Sequence, residues 1–390
     1  GKSIDHLDDI IYFVNLRKEV IKMLNFRKSF WKRFDFVLFI DVILLCVYGL
    51  VMIMSATASY ETDRFVQVQG IAVMLGIIAI LFLVLIDYKI LGKFYLPIYI
   101  FCNILLVAVL IFGTGEDQWG ARSWLKIGGF KFQPSELAKI GLIISLSQMI
   151  DKYKNSINEP FTLLKILAFA AVPIGLILLQ PDFGTAIVFV FFVVVMLFAA
   201  GLEWKYFGYA LILGIISLPI LWFKFDDYQK KRIFVFLDPE HDTSNAGYQA
   251  MQAKIAIGSG KVFGRGLFKG VQTQFGYIPE KQTDLIFAVL GEELGLIGAL
   301  LLLALYFIMF YRLVKIAKNS KDTFGSLMVV GITAMMIFHV WENIGMTVGL
   351  MPITGIPLPF ISYGGTFLLM NMICIGIALS VGIRKEGLNF

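Results

Sequence analysis

The chain has 390 residues, 58% hydrophobic and 16% charged, with a mean hydropathy of +0.80. A soluble domain is nearer half apolar and a quarter charged, so this composition excludes an ordinary soluble fold. The net charge of +6 does not point to nucleic acid, because the basic residues gather in short segments between apolar runs, where positive-inside charges belong.

The first 30 residues have mixed charge, with no apolar core or small-residue cleavage site, so they are not expected to be a cleaved leader. Within 3–33, Ile10, Ile11, Val14, Ile21 and Leu24 recur near helical spacing, followed by Lys28, Lys32 and Arg33. This predicts an interfacial helix on anionic lipid or a solvated tail. Residues 1–34 are therefore an N-terminal extension, and 35–390 form one transmembrane domain.

Ten apolar spans follow, at about 36–56, 67–86, 94–112, 135–150, 162–180, 183–201, 206–223, 284–310, 325–350 and 363–383. Each fits the ~17–25 residues that cross a bilayer as helix, to within one or two residues at its ends. The fold class is all-α and polytopic. Basic loops hold Lys89 and Lys93, Lys152 and Lys154, and Arg312, Lys315, Lys318 and Lys321, and the tail holds Arg384 and Lys385. They alternate with basic-poor loops, which predicts both termini on the cytoplasmic side. Two long loops, 113–134 and 224–283, then face outward, the larger between spans seven and eight. Cys46, Cys102 and Cys374 sit inside apolar runs without a CxxC pair or histidine cluster, suggesting neither disulfides nor zinc.

Charges in or at the rim of spans are functional candidates, with pairing or snorkelling as the plainer explanation. Asp41 is expected to snorkel to the cytoplasmic rim. "QPSELAK" puts Glu136 and Lys139 three apart on one helix face, able to pair with each other or to form a polar floor for an anionic headgroup. Pro134 suits the first turn. Asp182 reads as turn chemistry plus a helix start. His339, Glu342 and Asn343 fall at i, i+3, i+4 and predict a buried hydrogen-bond network rather than a metal site.

"AIGSGKVFGRGLFKG" has five glycines and misses both nucleotide-loop spacings, so no nucleotide is expected. It reads as flexible backbone able to approach a ligand closely. The cations of the loop 224–283, Lys254, Lys261, Arg265 and Lys269, are placed to meet phosphate or lipid headgroups. In "EKQTDLIFAVLGEELG" Asp284 meets the start of span eight. It is either a helix-start acid with Thr283 beside it or a half-desolvated general base. Helical rotation puts Glu292 nearer its face than Glu293. Glu280 reads as a solvated loop charge.

Five stretches, "GARSWLKIGGFKFQPSELAK", "QPDFGTA", "FLDPEHDTSNAGYQAMQAKIAIGSGKVFGRG", "YIPEKQTDLIFAVLGEELGLIGA" and "NIGMTVGLMPITGIPLPFISYGGT", together resemble the SEDS family of shape, elongation, division and sporulation proteins. The likeness runs from about residue 36 to 385, and the last span looks more like RodA than FtsW. The resemblance implies a peptidoglycan glycosyltransferase that polymerises lipid II at the outer face of the bacterial cytoplasmic membrane. It implies Asp284 as the essential acid and Trp124 as the functional tryptophan. Glu136 and Lys139 match a family motif.

The implied reaction is one inversion at the anomeric carbon of a glycan on undecaprenyl pyrophosphate. It needs one base and cations for the leaving group. Asp284 is the base. Arg122, Lys139, Arg232 and Lys281 are candidate cations, with Trp124 and Glu136 at the substrate and Glu292 supporting. A divalent ion, Mg or Mn, would be held by phosphate oxygens and water. Implied partners are a class B penicillin-binding transpeptidase, other elongation-complex proteins and membrane lipids, with no nucleic acid. The rival readings are a lipid II flippase and a scaffold for the transpeptidase.

Overall fold

The computed structural model is helical in each of the ten regions that hydropathy marks as spans. It describes residues 32–384, apart from Glu61, 116–122, 128–129 and most of 225–245. The expected helix over 3–33 lies, but for its last two residues, outside the described residues. The helices are α1 Phe36–Thr57, α2 Arg64–Leu85, the short α3 Lys89–Lys93, α4 Tyr95–Phe112, α5 Pro134–Tyr153, α6 Pro160–Leu178, α7 Phe183–Ala199, α8 Trp204–Lys224, α9 Ala246–Gly260, α10 Val271–Gln274, α11 Ile286–Lys318, α12 Thr323–Val348 and α13 Gly365–Ile383. Between α4 and α5, β1 Leu125–Ile127 and β2 Phe130–Phe132 form an antiparallel hairpin.

Seven helices among the described residues, α1, α2, α4, α6, α11, α12 and α13, are long and apolar enough to cross a membrane. The other three expected spans are also helical. α7 is apolar but has only 17 residues. α5 carries Glu136, Lys139, Asp151 and Lys152. It accommodates its charge at Glu136 and Lys139 by burial against protein, and most residues from Pro134 to Ser147 are shielded. α12 lies at the centre, packed on α5, α7, α9, α11 and α13. α4, at the periphery, buries only Cys102, Leu106 and Val109.

Local chemistry sets several helix ends, those at Pro134 and Asp182 as the sequence predicts. Pro134 opens α5, where its missing N–H costs nothing. Asp182 caps α7, accepting from Thr185 N at 3.1 Å and Thr185 Oγ1 at 2.9 Å. Asp35 caps α1 through Leu38 N and accepts from Arg312 at the far end of α11, from Nε to Oδ1 at 3.0 Å and from Nη2 to Oδ2 at 2.7 Å.

Three expectations are corrected. Asp41 does not reach the rim, because it is 4% exposed on the buried face of α1. The span expected at 284–310 is longer and broken: Gly295 adopts φ 63°, ψ −159°. The segment 224–283 is not simply a loop, since α9 and α10 pack on α11.

The break at Gly295 accounts for the glycine-rich segment. A helix break orphans carbonyls on one side and N–H groups on the other. Here Arg265 N donates to Glu292 O at 3.0 Å and Gly266 N to Glu293 O at 2.9 Å. Leu296 N and Ile297 N donate to Lys261 O and Val262 O at 3.0 and 3.1 Å. The two backbones come so close that a Cβ at Gly295 would stand 2.4 Å from Gly264 N. Gly260 and Gly264 thus permit close backbone contact with α11.

Candidate active site

Asp284 lies two residues before α11, in a turn, and is half-buried. Thr283 does not cap the helix as expected, because its hydroxyl donates to Glu280 O and to the Glu280 carboxylate at 3.1 Å each. Glu280 itself is exposed. The turn is held through three consecutive carbonyls. Gln282 O accepts from Tyr363 N at 2.8 Å, Thr283 O from Ser362 Oγ at 2.7 Å and Asp284 O from Asn343 Nδ2 at 2.8 Å. The carboxylate lies against the segment after α12, since a Cβ on Gly355 would sit 3.3 Å from Asp284 Oδ2. With φ +78°, Gly355 also occupies backbone space that other residues avoid.

The network expected of His339, Glu342 and Asn343 is present, and it grips the 354–357 segment. His339 Nδ1 approaches Pro357 O at 3.4 Å. Glu342 accepts from Thr354 Oγ1 at 3.0 Å. Asn343 Nδ2 donates to Ile356 O at 2.8 Å as well as to Asp284 O. Further round, Gln69 donates to Ser362 O and accepts from Gly364 N, tying α2 to the same loop. Sequence reasoning singled out neither Gln69 nor Ser362. Isolated polar residues in apolar or turn-like surroundings carry no signal of a partner nearly 300 positions away.

Glu136 and Lys139 pair with each other, as their spacing allows, at 2.8 and 2.9 Å. Lys139 Nζ also lies 3.0 Å from His339 Nε2, and all three side chains are buried. In this arrangement Lys139 is a support beneath the loop and not an open contact for an anionic headgroup. Lys281 is likewise corrected from its reading as a phosphate contact. It is wholly buried, and its ammonium donates to Thr273 O at 2.7 Å and Ser59 Oγ at 2.9 Å. It also stands 4.7 Å over the Tyr60 ring. Burial pushes its pKa below the usual lysine range, with Glu293 acting to raise it.

Glu292 and Glu293 are both wholly buried. Glu292 accepts from Gln272 N at 2.8 Å, Thr273 N at 3.0 Å and Thr273 Oγ1 at 2.7 Å, holding the start of α10. Glu293, expected to face elsewhere, meets the same 270–274 segment, accepting from Gln274 Nε2 at 3.1 Å and Gly270 N at 3.4 Å as well as from Ser55 Oγ on α1. Glu292 therefore connects to the Asp284 turn through Thr273 and Lys281. Trp124 is half-buried, and its backbone pairs with Thr114 beyond the end of α4 at 2.8 and 3.2 Å. Arg122 and Arg232 lie outside the described residues. Among those described, no three His, Cys, Asp or Glu side chains converge to hold a metal ion.

The site can thus present one half-buried carboxylate on a turn held by three carbonyl contacts, backed by buried polar networks. Comparison with known proteins gives this arrangement a context. The cell cycle protein family model of FtsW, RodA and SpoVE matches residues 35–386. The peptidoglycan glycosyltransferase MrdB of Escherichia coli K12 is 38% identical over 370 residues, covering 93% of this chain and 98% of that one. A probable peptidoglycan glycosyltransferase FtsW of Geobacter metallireducens is 36% identical, covering 93% and 99%. Among solved structures, a chain from a study of polymerization and crosslinking by a peptidoglycan synthase complex superposes with TM-score 0.80 at 29% identity, covering 90% and 99%. The rod shape determining protein RodA of Thermus thermophilus gives 0.69 at 28%, covering 91% and 98%.

Proposed function

The chain belongs to the cell cycle protein family of FtsW, RodA and SpoVE, as a peptidoglycan glycosyltransferase, and we propose that it polymerises lipid II with Asp284 as general base. The observation that carries this assignment is the half-buried Asp284 carboxylate on a turn fixed by three consecutive carbonyl contacts. A base must be held within hydrogen-bond reach of the proton it removes, and such positioning lowers the barrier by avoiding orientation at the moment of reaction.

In this mechanism the 4-hydroxyl of lipid II attacks the anomeric carbon of a glycan linked to undecaprenyl pyrophosphate. The hydroxyl proton passes to Asp284, the new β-1,4 C–O bond forms, and the α-linked C–O bond to pyrophosphate breaks. The leaving group departs with that electron pair. Lys139 and Lys281 are enclosed, so Arg122, Arg232 and the exposed Lys254 are the cations assigned to it. Lys254 reaches the C-terminal end of α12 at Gly349, where the loop carrying Gly355 begins. Mg or Mn is assigned to the substrate phosphates, whose oxygens are the hard ligands such an ion takes. Trp124 is assigned to a sugar face.

Ten spans with both termini cytoplasmic, and the Asp284 turn on the outer face, follow from the distribution of Lys and Arg between loops. A class B transpeptidase partner and a role in cell elongation are part of the same reading, supported by the synthase-complex chain and RodA as structural neighbours.

The test uses the purified full chain with its partner, lipid II and divalent metal. Asp284→Ala is expected to lower glycan-strand synthesis at least a thousandfold while the protein remains folded, and wild-type synthesis by this variant removes the base assignment. Should wild type make no strands while its proteoliposomes scramble lipid II, the flippase reading replaces this one.

A further inference from the structure

We propose that Asn343 is a positioning residue for the reaction, holding the Asp284 turn to the bundle. The inference rests on the reading of Asp284 as base. Of the three donors to carbonyls 282–284, Tyr363 N and Ser362 Oγ belong to the loop between α12 and α13. Asn343 alone of the three stands on a spanning helix, α12. Its one amide nitrogen carries two N–H groups, and they go to Asp284 O and Ile356 O at 2.8 Å each. This joins the turn, the loop and α12 at a single atom. Ile356 follows Gly355, the residue lying against the Asp284 carboxylate, so the same atom sets the spacing between that carboxylate and its neighbouring backbone.

The junction dictates the residue type. Two carbonyls need two protons from one short side chain, which a hydroxyl, a carboxylate or an aliphatic group cannot supply. The amide holds this position at a cost. Asn343 is wholly buried, and among the described residues its Oδ1 has no hydrogen-bond partner. A buried orphan acceptor is destabilising, so the two donor bonds are what the residue gains there. Being wholly buried, Asn343 does not touch a lipid-linked substrate. Its loss acts on the placement of Asp284, where displacements of about half an ångström matter, and so on kcat more than KM.

The experiment measures kcat and KM for lipid II polymerisation by Asn343→Ala and Asn343→Asp from pH 6 to 8, with Asp284→Ala alongside. Both Asn343 variants are expected to elute as folded protein, with kcat at least tenfold lower and KM within twofold of wild type. Asn343→Asp carries the decisive signature. Ionised, it faces two carbonyl oxygens and donates nothing; protonated, it donates to one of them. Its kcat relative to wild type should therefore rise at least threefold as pH falls from 8 to 6. The titratable groups around this face are Asp284 on the turn, His339 and Glu342 on α12, Glu136 and Lys139 on α5, and Lys254 on α9. All are present in both enzymes, so the ratio isolates position 343. A structural role alone would scale activity equally at every pH. Wild-type kcat in Asn343→Asp, or a ratio flat across pH, overturns the inference when Asp284→Ala is inactive. An active Asp284→Ala instead overturns the base assignment on which it rests.

Discussion

The two halves of α11 have the same helical rise and opposite surroundings. Before Gly295, every residue from Ile286 to Glu293 is buried, including two carboxylates. After it, Leu296, Ile297, Leu300, Leu301 and Phe307 are each at least half exposed, a face suited to lipid. The first half is solvated by protein. Each acid receives N–H or O–H donors that replace water, which is what makes a buried carboxylate affordable. The second half needs only apolar surface. The acids in "EKQTDLIFAVLGEELG" therefore mark where the helix changes its solvent.

That contrast can be broken from either side. The largest expected effect is Glu292→Ala, which strands Gln272 N, Thr273 N and Thr273 Oγ1 in a buried site. Unpaired buried groups cost about 1–3 kcal/mol each, so thermal melting in detergent should fall sharply and α10 should become accessible to protease. Leu300→Ala, on the lipid side, serves as the matched control with little change. Next is Gly295→Ala, which adds a Cβ 2.4 Å from Gly264 N at a positive φ. Such strained positions cost about 1–3 kcal/mol, and the measurable result is a lower melting temperature with loss of hydrogen-exchange protection at Leu296 and Ile297.

The smallest effect is a pH slope from Lys281. Its pKa is lowered from 10.5 on folding, so between the folded value and 10.5 the unfolded chain binds more protons. Stability contributed by this group therefore rises with pH through that window. Lys281→Met should remove the rise, seen as a flatter dependence of melting temperature on pH.

Much of this was legible in the sequence. The apolar runs predict helices because only length and hydropathy are needed to recognise them, and Pro134 and Asp182 act locally. Asp284 could be found as a rim carboxylate, and the resemblance pointed to it as the essential acid. Its anchoring could not be found, because Asn343 is 59 positions away and a carbonyl leaves no trace in residue identity. The break at Gly295 was hidden for a related reason. A single glycine in a helical pattern is unremarkable, and its counterpart, the run from Gly258 to Gly270, carried the same chemistry some 30 residues earlier, where it suggested a ligand. Asp41 misled because a charge in an apolar run suggests reaching outward, and Lys281 because a lysine in a polar turn suggests an open cation, whereas both turn inward.

The Asp35–Arg312 pair gives α1 a mechanical character. Near its other end Ser55 donates to Glu293, and midway Tyr48 donates to Gly298 O at 3.0 Å. Two rails are thus joined by three rungs over about 20 residues of helix, or roughly 30 Å at 1.5 Å per residue. A ladder fastened at both ends cannot slide. The height of the Asp284 turn above the Arg312 end is therefore gauged by the chain itself, and a thinner or thicker bilayer must deform around it.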